Sequence, residues 1–152
     1  MKFFSRMLLS LCIIALLNVV TAIKADAGEY LGDYCWNATM TVDGTPVSWT
    51  IQLGINHMGG GHCLCSGIIT CTDPFSLQVT AFGNVELLEN EIRVTLSYQG
   101  KKFDDHGNYT VGNDMDTIIL DPYTLNGVIE GIGIYDDGAE LYEGTVTYTS
   151  CP

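Results

Sequence analysis

Hydrophobic and polar residues alternate along most of the chain beyond residue 27. In VSWTIQL, for example, Val47, Trp49, Ile51 and Leu53 are separated by polar residues. The same period of two recurs in three further runs, at residues 75–81, 91–99 and 141–150. Successive side chains of a β-strand point to opposite faces, so this alternation is typical of antiparallel sheet with one buried face. No comparable helical stripe follows residue 27.

Turn-forming residues separate these runs at short intervals, and Asn126-Gly127 and Asp137-Gly138 are the strongest hairpin signals. The pattern predicts strands at residues 34–42, 47–54, 62–71, 75–83, 84–89, 91–99, 115–120, 128–135 and 140–150. We therefore expect an all-β protein, an antiparallel meander of about eight or nine strands that closes into an up-and-down barrel; the alternative is a β-sandwich. Residues 101–114 are predicted to be one long loop.

The first 27 residues have the organisation of a secretory signal peptide. Lys2 and Arg6 precede an apolar run, and Ala25-Asp26-Ala27 fits the small-residue cleavage pattern. The uninterrupted apolar stretch stops at Asn18, short of the roughly 20 residues that a membrane-spanning helix needs. We expect residues 1–27 to be removed, residues 28–152 to form a single β-barrel domain without an integral membrane span, and the protein to be secreted to an extracellular or periplasmic location.

The expected mature chain is strongly acidic. Of the six basic and 18 acidic residues, residues 1–27 hold three and one, which leaves three basic and 17 acidic residues and a net charge of −14. Such a surface repels phosphate groups, which argues against nucleic acid and anionic membranes as partners. It favours cations or basic partners.

Five cysteines follow the signal segment, and strand parity favours one pairing among them. Cys35 and Cys151 both continue polar strand faces near the two chain ends, so a closed sheet brings them together and a Cys35–Cys151 disulfide is expected. A second bridge is expected between Cys71 and either Cys63 or Cys65, with Cys65–Cys71 preferred. One cysteine then stays unpaired and could support self-association.

Two segments have residues that could bind cations. GINHMGGGHCLCSG contains His57 and His62 with nearby sulfur atoms, a donor set that suits copper or zinc. Structural disulfides are the favoured explanation of its cysteines. The second segment carries hard oxygen ligands suited to calcium, at Asp104, Asp105, Asn108, Asn113, Asp114 and Asp116. The segment lacks the ligand order of an EF-hand loop. The favoured explanation is that its acidic side chains are exposed to solvent.

Aromatic residues on the inward strand faces are candidate contacts for a small-molecule ligand, at Trp36, Trp49, Tyr98, Tyr142 and Tyr148. Ordinary core packing is the alternative. Glu130 is the only acidic residue that the pattern places on an apolar face, where it could orient a ligand; a bulge near Gly131 would instead turn it outward. No catalytic residue is predicted, since there is no G-x-S-x-G motif or comparable triad context.

Gly32-Asp33-Tyr34-Cys35-Trp36 at the start of the first strand resembles the G-x-W motif of lipocalins, with the tryptophan displaced by two positions. Together with the hairpin meander over 34–150, this resembles a calycin-type barrel, the group that holds lipocalins and avidins. The resemblance implies an exported, non-enzymatic protein that binds a small molecule inside the barrel. Two alternatives remain: a structural or adhesive surface subunit that assembles through strand edges or an unpaired cysteine, and a metal-handling protein that uses residues 54–67.

Overall fold

The computed structural model describes residues 28–42, 44–73, 76–103 and 107–152. The predicted signal peptide lies outside these residues. The described chain forms eight β-strands: β1 Glu29–Val42, β2 Thr45–His57, β3 His62–Asp73, β4 Leu77–Leu87, β5 Ile92–Phe103, β6 Tyr109–Leu120, β7 Gly127–Tyr135 and β8 Gly138–Thr149. In this part of the chain no helix is long and apolar enough to cross a bilayer.

The eight strands close into a barrel in sequence order. Each strand pairs antiparallel with the next, and β8 returns to β1 with the register Cys35↔Thr149 to Thr41↔Glu143. This confirms the all-β meander and selects the barrel over the sandwich. Because the ring of strands is closed, none of β1–β8 has a free edge.

A disulfide joins Cys35 and Cys151 beside the β1–β8 seam, with 5.2 Å between the two Cα atoms. This bridge was predicted from strand parity and is confirmed. Cys35 lies outside the interior cluster although its side chain is buried. The bridge links residues 116 positions apart and therefore fastens the chain ends across the seam.

Two predicted boundaries are wrong. The strands expected at residues 75–83 and 84–89 are the single strand β4, which continues through Gly83. A Cβ atom at Gly83 would overlap the backbone of Thr95, so glycine serves here to let β4 and β5 approach closely. The long loop expected at residues 101–114 is mostly the β5–β6 hairpin, whose paired residues extend to Phe103 and Tyr109.

The apolar core fills the barrel along its β1–β4 wall and continues into β5–β8, with Trp36, Ile51, Leu53, Ile69, Leu96 and Ile118 among its fully buried members. At one end of the barrel, the indole Nε1 of Trp36 donates a hydrogen bond to the carbonyl of Leu125, at 2.8 Å. Asp121 holds the intervening β6–β7 loop by accepting bonds from the backbone N–H groups of Tyr123 and Thr124. The core is therefore tied to a structured loop at this end.

Candidate functional site

Two aspartates point into the barrel from β6. Asp114 and Asp116 alternate along the strand with exposed Asn113 and Met115, and their exposed fractions are only 5% and 2%. In the described part of the chain they are the only buried charged side chains. Buried carboxylates are costly unless hydrogen bonds compensate them, so their partners define the site.

Asp116 is bound by two tyrosine hydroxyl groups from different strands. The hydroxyl of Tyr142 on β8 donates to Oδ1 at 2.7 Å, and that of Tyr98 on β5 donates to Oδ2 at 3.0 Å. The two hydroxyl oxygens are themselves 3.1 Å apart. The three side chains thus form a closed triangle of polar contacts inside the barrel.

Asp114 has a separate tyrosine partner. The hydroxyl of Tyr135, near the end of β7, lies 3.0 Å from Oδ1 and 3.2 Å from Oδ2 of Asp114. We call Tyr98, Asp114, Asp116, Tyr135 and Tyr142 together the tyrosine–aspartate cluster. Its members come from four consecutive strands, β5 to β8.

Glycines on the interior face of the same wall make room for this cluster. Gly131 lies between Asp116 and Tyr142 in the strand register, and a Cβ atom there would overlap the Tyr142 ring. A Cβ atom at Gly133 would come within 2.7 Å of Asp114 Oδ1. Because each interior glycine is next to a large polar side chain, the tyrosines can lie across the wall toward the aspartates.

Burial sets the protonation of the cluster. Desolvation raises the pKa of Asp116 to about 6, although the hydrogen bonds from Tyr142 and Tyr98 oppose the shift. Desolvation also raises the pKa of Asp114 against the bond from Tyr135. The pKa values of Tyr98 and Tyr142 are raised well above the usual value, first by desolvation and then by the charge of Asp116, so both phenols stay protonated at neutral pH.

Counting protons shows how the Asp116 triangle changes with charge. Each phenol has one hydrogen, and in the ionised state both hydrogens point to the carboxylate, which leaves the Tyr98–Tyr142 oxygen contact without a donor. Protonation of Asp116 supplies a third hydrogen and allows a complete cycle of three hydrogen bonds. The ionised cluster therefore lacks one donor.

The cluster lies toward the end of the barrel that carries the β7–β8 turn. At this rim, Lys102 Nζ lies 3.2 Å from Asp137 Oδ2 and 5.9 Å from the centre of the Tyr135 ring. Tyr135 is half-buried, whereas Asp116 lies deeper and is almost fully buried. The rim thus places an aromatic ring and an ion pair above the interior carboxylates.

The residues predicted to contact a ligand have different positions. Tyr98 and Tyr142 belong to the tyrosine–aspartate cluster, whereas Trp36 is core and Trp49 packs against the core. The indole Nε1 of Trp49 is buried without a hydrogen-bond partner. Tyr148 is 40% exposed and contacts the edge of the Trp36 ring, with 6.1 Å between ring centres. Of these five aromatics, only Tyr98 and Tyr142 therefore belong to the buried polar cluster.

Glu130 does not face the interior, so its predicted inward placement is wrong. It is exposed, and the inward positions of β7 belong to Ile129, Gly131 and Gly133. The apolar residues of β7 misled the prediction because several of them, including Ile134 at 56% exposure, lie on the outside of the barrel. The small interior residues are glycines, which carry no hydrophobic signal.

Asp114, Asp116 and Tyr135 were missed as site residues. The signal for the two aspartates was the alternation in VGNDMDTIIL, which continues the period of two from Ile118 back through Asp116 and Asp114. The acidic residues were instead assigned to a solvated loop, with calcium binding as the less favoured alternative. Of that proposed ligand set, Asp104 and Asp105 lie outside the described residues, Asn108 and Asn113 are exposed, and the two β6 aspartates are inside the barrel.

The predicted Cys65–Cys71 bridge is also wrong. Both residues lie on β3, six positions apart, so their Cα atoms are separated by about 20 Å, far beyond disulfide reach. Cys63, Cys65 and Cys71 are all buried. Desolvation, followed by the proximity of Cys63, raises the pKa of Cys65 to about 11, which disfavours the reactive thiolate. Intermolecular bridging therefore has no exposed thiol among these three.

The two predicted metal-ligating histidines flank the β2–β3 turn. His57 pairs across the strands with Cys63, and His62 precedes Cys63, so alternation directs the two histidines to opposite faces. Within the described residues, no group of three or more His, Cys, Asp or Glu side chains is arranged to hold a metal ion.

The closed antiparallel barrel is compatible with a calycin-like fold. Comparison with protein-family models, curated proteins and solved structures finds no match for this chain. Its function must therefore be inferred from its own residues.

Proposed function

We propose that this protein is an exported, non-enzymatic β-barrel that binds a small molecule in its interior, at the tyrosine–aspartate cluster. The observation that carries the proposal is the Asp116 carboxylate, 2% exposed and hydrogen-bonded by Tyr98 and Tyr142. Binding sites inside proteins are mostly apolar with a few converging polar groups, and a barrel of this size can hold one small ligand. The cluster supplies the converging polar groups, and the remaining buried core is apolar.

Stability alone gives little reason for such a cluster. Replacing buried ionic groups by well-packed apolar residues is often neutral or stabilising. The rest of the buried interior, on β1–β4 and on β5–β8, is apolar and contains no other charged group among the described residues. A functional role explains why the β5–β8 wall keeps two carboxylates where apolar residues would pack.

The chemistry of the cluster favours a ligand with an amino group or another strong hydrogen-bond donor. The ionised Asp116 triangle lacks one donor, and an ammonium group would supply it together with a compensating charge. The tyrosine rings add faces that attract organic cations. The net charge of −14 expected for residues 28–152 favours approach of a cation.

The absence of catalysis is also part of the proposal. A phenol whose pKa lies far above neutral pH is a poor nucleophile and a poor base, and the phenols of Tyr98 and Tyr142 are in that state. Both carboxylates are occupied by hydrogen bonds from these rings or from Tyr135. Holding a ligand requires only that these bonds rearrange.

The test is native mass spectrometry of the protein isolated from the cells that produce it, compared with Asp116→Asn and Glu130→Gln variants. Each variant removes one negative charge, but Asp116 faces the interior and Glu130 faces solvent. We expect a small organic adduct on the wild type and on Glu130→Gln, and its loss from Asp116→Asn. Because a weak ligand can dissociate during isolation, the same three proteins are also titrated with aliphatic and aromatic amines while the unfolding temperature is recorded.

Two outcomes would contradict the proposal. One is a wild type that carries no adduct and whose unfolding temperature no amine raises. The other is equal binding by the wild type and Asp116→Asn, which would place the ligand elsewhere on the molecule.

A further inference from the structure

The outer face of β6–β8 carries large apolar side chains that nothing in the described chain covers. We call the residues on this face the outer patch: Met115, Val128, Ile132, Ile134 and Leu141. Met115, Ile132 and Leu141 lie directly opposite one another across the three strands. Leu141 is 76% exposed and Met115 is 52% exposed. Contiguous exposed apolar surface of this kind marks sites of interaction with other molecules.

Two glutamates interrupt the outer patch. Glu130 and Glu143 face each other across β7 and β8, in the row between Ile132 and Val128. Both are exposed, and their other cross-strand neighbours, Thr117 and Thr41, are neutral. Like charges directly opposite each other destabilise a strand pair. A positive charge placed between them would remove this repulsion.

The part of the chain that the structure describes has no lysine or arginine available for this position. Beyond residue 27 its only basic residues are Arg93, Lys101 and Lys102. Arg93 pairs with Glu91, Lys102 pairs with Asp137, and the Lys101 ammonium lies 4.5 Å from the centre of the Tyr109 ring. A cation that binds between Glu130 and Glu143 must therefore come from another molecule.

We propose that the outer patch binds a segment of a partner protein that presents large apolar side chains with a lysine or arginine between them. The apolar side chains would cover the row of Met115, Ile132 and Leu141, and the basic group would lie between the glutamates. A second copy of this chain fits poorly as the partner. Its own patch would bring two more glutamates and no lysine or arginine to pair with them. The proposed partner therefore carries a basic residue at the position that faces Glu130 and Glu143.

The experiment measures binding of a fluorescently labelled amphipathic peptide of leucine and lysine by fluorescence anisotropy, at about 0.15 M salt to limit non-specific attraction. The variants are Leu141→Thr and the pair Glu130→Gln/Glu143→Gln. The matched controls are Phe82→Thr, also an exposed outer residue at 62%, and the pair Glu86→Gln/Glu89→Gln. A peptide with glutamate in place of lysine tests the sign of the charge.

We expect Leu141→Thr and the Glu130/Glu143 pair each to weaken binding about ten-fold, while both controls change it less than about two-fold. All of these substitutions are on exposed positions, and near-ultraviolet circular dichroism checks that the fold is kept. The proposal is overturned if the peptide does not bind the wild type, or if the controls weaken binding as much as the patch variants. It is also overturned if the wild type sediments as a dimer that Leu141→Thr dissociates.

Discussion

The two halves of the barrel interior are built differently. The buried side chains of β1–β4 are apolar or thiol groups, such as Trp36, Leu53 and Ile69. The inward side chains of β5–β8 include two aspartates and three tyrosines, and the rings of Tyr142 and Tyr135 lie next to interior glycines. The first half therefore supplies apolar burial, and the second half places polar groups where burial makes them costly.

Two strands of the β5–β8 half have apolar side chains on their outer face. On β6 the aspartates face inward and Met115 faces outward, and on β7 glycines face inward while Ile134 faces outward. A wall selected only for stability would have the opposite arrangement. This arrangement of β5–β8 is the basis of the binding roles that we propose for its interior and for its outer face.

The largest expected effect is on the β1–β4 side. Leu53 is fully buried, so Leu53→Ala should lower the free energy of unfolding by about 2–5 kcal/mol through lost burial and a residual cavity. Leu141→Ala on β8 is the matched control, because Leu141 is 76% exposed and should change stability by less than about 0.5 kcal/mol. Urea unfolding measures both. Equal losses would remove the distinction between interior and outer leucines.

A smaller loss is expected for Gly131→Ala. The added methyl group would overlap the Tyr142 ring and displace its hydroxyl from Asp116, at a cost of about 1–3 kcal/mol. Gly54→Ala is a control in β2, since the nearest atom to its added Cβ is the Asp33 carboxylate at 3.2 Å, on a flexible, exposed side chain. If the two substitutions have the same effect in urea unfolding, the interior glycines do not shape the cluster.

The cluster also predicts a pH dependence of stability. The pKa of Asp116 is raised to about 6 in the folded protein from 3.8, so the folded state binds the proton more tightly than the unfolded state. The resulting stabilisation is complete below about pH 4 and is lost as pH rises to about 6, by at most about 3 kcal/mol. Asp114, whose pKa is also raised, contributes in the same direction.

Unfolding measured between pH 4 and pH 7 checks this dependence. Asp116→Asn should flatten the decline, and Glu130→Gln, which removes a carboxylate from the outer face, is the control. The prediction is contradicted if the wild type becomes more stable from pH 4 to pH 7 and Asp116→Asn shows the same dependence. Asp116 would then titrate like an exposed carboxylate.

The sequence was sufficient to predict the barrel because alternation and turn residues act locally. The period of two in VSWTIQL and the Asp137-Gly138 turn each predict their element without reference to the rest of the chain. Parity then placed Cys35 and Cys151 on the same face, and closure of the sheet brought them together. These steps needed only strand geometry.

The tyrosine–aspartate cluster could not be predicted in the same way. Its wall has polar residues and glycine inside and apolar residues outside, so the usual inference from hydrophobicity to burial fails at Asp116 and Glu130. The hydrogen bonds also depend on the register of β5 to β8, which places Asp116 opposite Leu96 and Gly131. Strand register is set by the closed barrel as a whole and cannot be inferred from the sequence of one strand.

The most direct test of the account is the free energy of unfolding of ligand-free Asp116→Asn relative to the wild type at pH 7. The asparagine amide can accept from Tyr142 and donate to Tyr98, which allows the three-bond cycle without a buried charge. We predict that the variant is at least as stable as the wild type, as expected when a site is kept for binding at the expense of stability. A loss of more than about 1 kcal/mol, comparable to a net hydrogen bond, would contradict the account and make Asp116 a structural residue of the barrel.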